Sequence, residues 1–271
     1  IRYNLIHDNG VRGFGFKNKE PLSMTMDFYG NILWNNGRNP SGGTANFTIG
    51  ADDLGASVLN IYNNTFFINN DIVDSTYPRN IVLGTGSINS YGVRGTPTIN
   101  FKNNIVYQTS CSSYLNTMII DVSKKLNHSN NLIYCGADSG YHVCSGSNEF
   151  YNTASQLLLW EPTGQNTDPI FTGGTLPTGF VETTGGSMIP NTDFFTISSG
   201  NAINNGATLG WPYNGCVNWT GSEEVACRPA GGYDIGAYEV PAVVNPVVEP
   251  AVQPVPRSKV SRVSKKTQVI N

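Results

Sequence analysis

The chain is 271 residues long, with a formal net charge of −3, a pI near 5.6 and only 13% charged residues. With no basic stripe in its repeat-bearing part, nucleic acid is an unsuitable partner, and with no run of about 20 apolar residues no transmembrane helix is expected. Abundant Gly, Pro, Asn, Ser and Thr predict a loop-rich β protein.

The predicted elements begin at once. A motif of Asn followed by three mostly apolar residues recurs as Tyr-Asn-Leu-Ile-His (3–7), Gly-Asn-Ile-Leu-Trp (30–34), Asn-Asn-Thr-Phe-Phe (63–67), Asn-Asn-Ile-Val-Tyr (103–107) and Asn-Asn-Leu-Ile-Tyr (130–134). Its anchors, Asn4, Asn31, Asn64, Asn104 and Asn131, are separated by 27, 33, 40 and 27 residues. Such spacing suits a coil whose turns share strands but differ in loop length, each turn burying its apolar face against its neighbours.

Strand side chains alternate between faces, so the columns can be sorted. Ile6, Leu33, Phe66, Val106 and Ile133, two after each anchor, are expected inside, as are Ile1, Phe28, Ile61, Phe101 and His128, three before it. The column two before the anchor, Arg2, Tyr29, Tyr62, Lys102 and Ser129, is mixed and expected outside. Strands stacked about 4.8 Å apart bring successive anchor amides within reach of one another, predicting an asparagine ladder that satisfies buried turn groups. The pattern predicts an all-β, right-handed parallel β-helix (solenoid) over residues 1–136.

Three after the anchors stand five rings, His7, Trp34, Phe67, Tyr107 and Tyr134. Alternation puts them outside, where three readings remain open: rings stacked under a covering loop, a ring-lined strip that binds sugar faces, or a protein-binding surface.

Residues 137–239 form a C-terminal capping module with a short helix expected over Thr153 to Trp160. Residues 240–271 read as a Pro-rich linker and a basic, disordered tail. The chain starts inside a repeat, so earlier coils and an export signal are expected upstream, and the tail is expected to join a monomeric body to an anchor or a further domain. Cys135 and Cys144 flank one short loop and Cys216 and Cys227 another, which permits two local disulfides or buried free thiols and leaves Cys111 over. No CxxC pair suggests zinc, and no metal site is expected.

The segments Asp168-Pro169-Ile170-Phe171, Gly200-Asn201-Ala202-Ile203-Asn204-Asn205-Gly206 and Tyr233-Asp234-Ile235-Gly236-Ala237-Tyr238-Glu239 resemble the C-terminal part of right-handed β-helix proteins of the pectin-lyase-like superfamily. The resemblance is closest to the choice-of-anchor type with its DIGAYE motif. It implies an extracellular or cell-surface protein and a polysaccharide partner. DIGAYE itself reads as structural, with Asp234 bonding a turn, Gly236 allowing a tight backbone, and Ile235 and Tyr238 covering the coil.

Relatives in that superfamily include lyases and hydrolases. A hydrolase needs paired carboxylates, and Asp52-Asp53 is the only adjacent Asp-Asp pair. A uronate lyase needs a cation against the substrate carboxylate and a base for the C5 proton, with Ca²⁺ as a cofactor only in that case. Glu20 and Asp53 stand eleven before their anchors and Arg94 and Asp121 ten before theirs, giving a weak charged column as the catalytic candidate. Three functions follow: a polysaccharide-binding β-helix, which is favoured; a uronate-polysaccharide lyase; and a non-catalytic stalk or adhesin.

Overall fold

The computed structural model describes residues 1–16, 23–37, 45–49, 55–69, 79–83, 97–111, 118–120, 125–136, 143–145, 149–151, 153–172, 181–182, 188–189, 195–217, 224–226 and 232–237. In chain order the first strands are β1 (Leu5–His7), β2 (Arg12–Phe16), β3 (Thr25–Tyr29), β4 (Ile32–Trp34), β5 (Ala45–Ile49), β6 (Val58–Tyr62), β7 (Thr65–Ile68) and β8 (Arg79–Leu83). They continue as β9 (Thr98–Lys102), β10 (Ile105–Gln108), β11 (Met118–Ile120), β12 (Lys125–Ser129), β13 (Leu132–Cys135), β14 (Val143–Ser145) and β15 (Glu149–Tyr151). Every third strand is a neighbour, which gives three sheets: β1-β4-β7-β10-β13, β2-β5-β8-β11-β14-β15 and β3-β6-β9-β12. All pairings in them are parallel except β14 with β15. The protein is therefore nearly all β and built on parallel sheets.

The register follows the motif. Leu33 pairs with Phe66, Phe66 with Val106 and Val106 with Ile133, and all four are buried in one core with Phe28, Ile61, Phe101 and residues of the second sheet such as Phe47 and Ile81. Ile1, expected inside, is exposed beside the sheet edge, and His128 is only partly covered.

The turn into each motif explains its Asn-Asn and Gly-Asn pairs. Tyr3, Gly30, Asn63, Asn103 and Asn130, one before each anchor, all have φ between 53° and 65°. Gly and Asn enter this left-handed region at least cost. The next residue then turns inward, and the ladder forms: the Nδ2 of Asn4 donates to Oδ1 of Asn31 at 2.9 Å, Asn31 to Asn64 at 3.0 Å, Asn64 to Asn104 at 2.9 Å and Asn104 to Asn131 at 3.0 Å. Each of these four acceptor oxygens also takes the backbone N–H of the preceding anchor. A second chain of amides runs from Asn9 through Asn36 and Asn46 to Asn80, which ends on the carbonyls of Phe66 and Tyr107.

Helix α1 (Ala154–Trp160) starts at Thr153, whose side chain caps Gln156 while Gln156 bonds back, as the Thr-x-x-Gln spacing allows. Its Leu157 enters the core and Trp160 stacks on His128 with ring centroids 3.9 Å apart. Two hairpins follow, β16 (Val181–Glu182) with β17 (Met188–Ile189), and β18 (Gly215–Val217) with β19 (Glu224–Ala226).

The cysteine expectation is corrected. Cys135 is bonded to Cys111, not to Cys144. Cys135 lies in register with Gln108 on the neighbouring strand, three residues before Cys111, whereas Cys144 lies on β14 in another sheet. A bridge between adjacent strands is therefore nearer than one across a loop. The side chain of Cys216, all of Cys227 and residues 240–271 lie outside the described residues.

Candidate functional site

The middle of the ring column is closed to solvent, while His7, Tyr107 and Tyr134 are half-buried. Trp34 is 1% and Phe67 0% exposed. His7 stacks on Trp34 at 3.9 Å and 8°, and Phe67 on Tyr107 at 5.1 Å and 6°, with Tyr134 tilted beside Tyr107. Phe195 and Phe171 then cap them: Phe195 sits 5.3 Å from Trp34 and 5.7 Å from Phe67, and Phe171 5.8 Å from Tyr107. Of the three readings open for His7, Trp34, Phe67, Tyr107 and Tyr134, the covered stack is the one found at Trp34 and Phe67, which therefore offer no face to a sugar, because residues 168–172, 195–206 and 232–237 supply a second apolar layer. A parallel sheet sandwiched on both faces is apolar throughout. Burial, with the nearby charge of Asp168 and the Tyr134 phenol, pushes the Tyr107 phenol up to about 12.

Asp234 to Ala237 of the DIGAYE segment belong to that layer, and Tyr238 and Glu239 lie outside the described residues. Asp234 accepts from the Asn204 backbone N–H at 2.8 Å, Ile235 is buried with Ile105 and Leu132, and Gly236 has φ +105° with its amide on the Asn103 carbonyl. A Cβ at Gly236 would lie 2.6 Å from Ile105 Cδ1, so glycine is required there.

A polar row lines the outside of β3-β6-β9-β12, half-buried at Asp27, Asn60 and Asn100 and exposed at Asn127. Asp27 pairs in register with Asn60, Asn60 with Asn100 and Asn100 with Asn127. Their side chains are linked: Asn127 Nδ2 donates to Asn100 Oδ1 at 2.9 Å, Asn100 Nδ2 to Asn60 Oδ1 at 2.8 Å and Asn60 Nδ2 to Asp27 Oδ1 at 2.8 Å. Beside this row run Tyr29, Tyr62, Lys102 and Ser129, with the Tyr62 hydroxyl donating to Asn60 Oδ1 at 3.1 Å.

Tyr213 arrives from the distant C-terminal segment. Its hydroxyl donates to Asp27 Oδ1 at 2.7 Å, and its ring meets Tyr29 and Tyr62 edge-on at 5.2 and 4.7 Å. Three left-handed asparagines hold that segment: Asn130 Nδ2 bonds the Asn205 carbonyl, Asn103 Nδ2 that of Ala207 and Asn63 Nδ2 that of Tyr213. Burial and the charge of Asp27 raise the Tyr62 phenol. Burial, then the bond to Asp27 and its charge, raise that of Tyr213. Both phenols thus stay protonated near neutrality and act as donors, not bases.

Glu161, buried at the end of α1, closes the inner ladder: Asn131 Nδ2 donates to its Oε1 at 3.0 Å, and His128 Nδ1 lies 3.1 Å from its Oε2. Among the described residues no group of His, Cys, Asp and Glu could hold a metal ion, and no helix is long and apolar enough to cross a membrane. Glu20, Asp53, Arg94 and Asp121 lie outside the described residues.

The surface row has a periodic signal in the sequence, since Asp27, Asn60, Asn100 and Asn127 each stand four before an anchor. No such periodic signal marks Tyr213, which lies outside the repeats. Compared with known proteins, the chain matches no family model, no curated protein and no solved structure.

Proposed function

We propose that the three parallel sheets are the faces of a right-handed parallel β-helix of the pectin-lyase-like, choice-of-anchor type, working outside the cell or at its surface. Its activity is to bind extracellular polysaccharide along the outer face of β3-β6-β9-β12. The observation that carries this reading is the in-register row Asp27, Asn60, Asn100, Asn127, which presents one hydrogen-bonding group per strand, half-buried at Asp27, Asn60 and Asn100 and exposed at Asn127. Sugars are recognised by such groups, since each hydroxyl both donates and accepts. Among the described residues this face offers linked amides and phenols that donate hydrogen bonds, which favours binding over uronate lysis.

The test is retention of the protein on a broad panel of immobilised polysaccharides, with Asn100→Ala as the comparison. Retention that the variant loses while its melting temperature holds supports the reading. If the wild-type protein is retained by no glycan, the stalk or adhesin role replaces it. Formation of an unsaturated uronate product, seen as ultraviolet absorbance, would restore the lyase.

A further inference from the structure

Resting on the polysaccharide reading, we infer that the ligand is a neutral, extended glycan lying across the strands, with Asp27 and Trp211 setting its specificity. Neighbouring strands lie about 4.7–4.9 Å apart, comparable with the advance of one pyranose unit in an extended chain. Each unit therefore meets the same type of group in turn. Asn100 and Asn127 each use one amide N–H in the row, and an amide carries two. Among the described residues the second N–H of each is left for solvent or a ligand hydroxyl.

Charge selects the ligand class. The row holds three neutral amides and one carboxylate, Asp27, so a uronate crossing it meets a like charge and no cation within the row. The cations stand in the two flanking rows, two residues or about 7 Å along the strand. Of these, Arg2 already donates to the Tyr29 hydroxyl at 2.9 Å, Lys102 lies in register with Tyr62, and Lys125 lies in register with Thr98 on the other flank. Hydroxyls satisfy the amide row without that penalty.

Trp211 supplies the apolar contact. It is 63% exposed although its segment is held at many points: Gly206 N–H on the Tyr233 carbonyl, Ala207 N–H on Asn103 Oδ1, the Leu209 carbonyl under the Tyr233 hydroxyl, and the Tyr213 carbonyl under Asn63 Nδ2. The backbone is fixed while the indole remains in water, two residues from the phenol that bonds Asp27. An aromatic held in this way offers a flat face for the C–H side of a sugar at little cost in entropy.

The experiment compares neutral polymers (β-glucan, β-mannan, β-xylan, β-galactan) with uronates (polymannuronate, polyguluronate, polygalacturonate) by affinity electrophoresis. The expected result is retardation by at least one neutral polymer, none by the uronates, and no loss of retardation in about 1 M salt. Trp211→Ala should weaken retardation about tenfold with an unchanged melting temperature. Asp27→Asn should admit uronates, and Asn127→Ala, at the exposed end of the row, should weaken neutral-polymer binding several-fold if the Asp27 variant does not fold. Retardation by uronates alone, lost in salt, would overturn the neutral-glycan inference and leave polysaccharide binding standing. Full retardation of Trp211→Ala would remove Trp211 from the site, and no retardation by any polymer would remove the proposed function with the inference.

Discussion

Glu161 and Asp27 close two amide ladders that run in opposite directions. The buried ladder donates from Asn4 toward Asn131 and ends on Glu161; the surface ladder donates from Asn127 back to Asn60 and ends on Asp27. A row of amides that all donate one way leaves its last N–H groups in need of a pure acceptor, and a carboxylate is one. The two carboxylates thus perform the same bonding task in settings that differ in burial, and only the outer row can meet a ligand.

The inner ladder should carry stability. Asn104→Ala and Glu161→Ala each leave buried donors unpaired and are expected to cost about 1–3 kcal/mol in denaturant unfolding. Asn127→Ala, in the outer row, should cost less than about 0.5 kcal/mol. Equal small losses at all three positions would reject the ladder.

The covered rings should behave as core. Phe67→Ala and Trp34→Ala are expected to lose about 3–5 kcal/mol, as much as Phe66→Ala, because each would open a cavity under Phe195. Losses under about 1 kcal/mol would mean that the C-terminal layer does not cover them.

Alkaline pH should loosen that same layer. The Tyr107 phenol has its pKa raised from 10.0 to about 12, chiefly by burial, so the folded state favours the neutral form more than the unfolded chain does. That stabilisation is complete below pH 10.0 and is lost as pH rises through about 12. Denaturant midpoints followed across this window should fall less steeply for Tyr107→Phe than for the wild-type protein. Identical slopes would remove Tyr107 from the transition.

The bridge between strands should also be separable. Replacing Cys111 and Cys135 by Ser opens a link between residues 24 apart, at an expected cost of about 3 kcal/mol. Cys144→Ser should leave the Cys111–Cys135 peptide intact in a non-reducing digest. A Cys135–Cys144 peptide in the wild-type digest would contradict the pairing.

The sequence by itself determined what repeats. The anchors Asn4 to Asn131, the interior column from Leu33 to Ile133 and the asparagine ladder were legible, because strand alternation and the spacing of stacked strands return at every motif. The same alignment contained the outer row at four before the anchor, although alternation alone did not mark it as the polar face. Tertiary structure decided what lies on top of the sheets. Trp34 and Phe67 point outward as alternation requires, yet Phe171 and Phe195, more than a hundred residues later, bury them. Cys111 instead of Cys144 reaches Cys135 because strand pairing, not loop length, sets their distance. Tyr213 reaches Asp27 across 186 residues, through asparagines whose local role is only to turn the chain. Contacts between such distant segments leave no periodic trace, since each is made once.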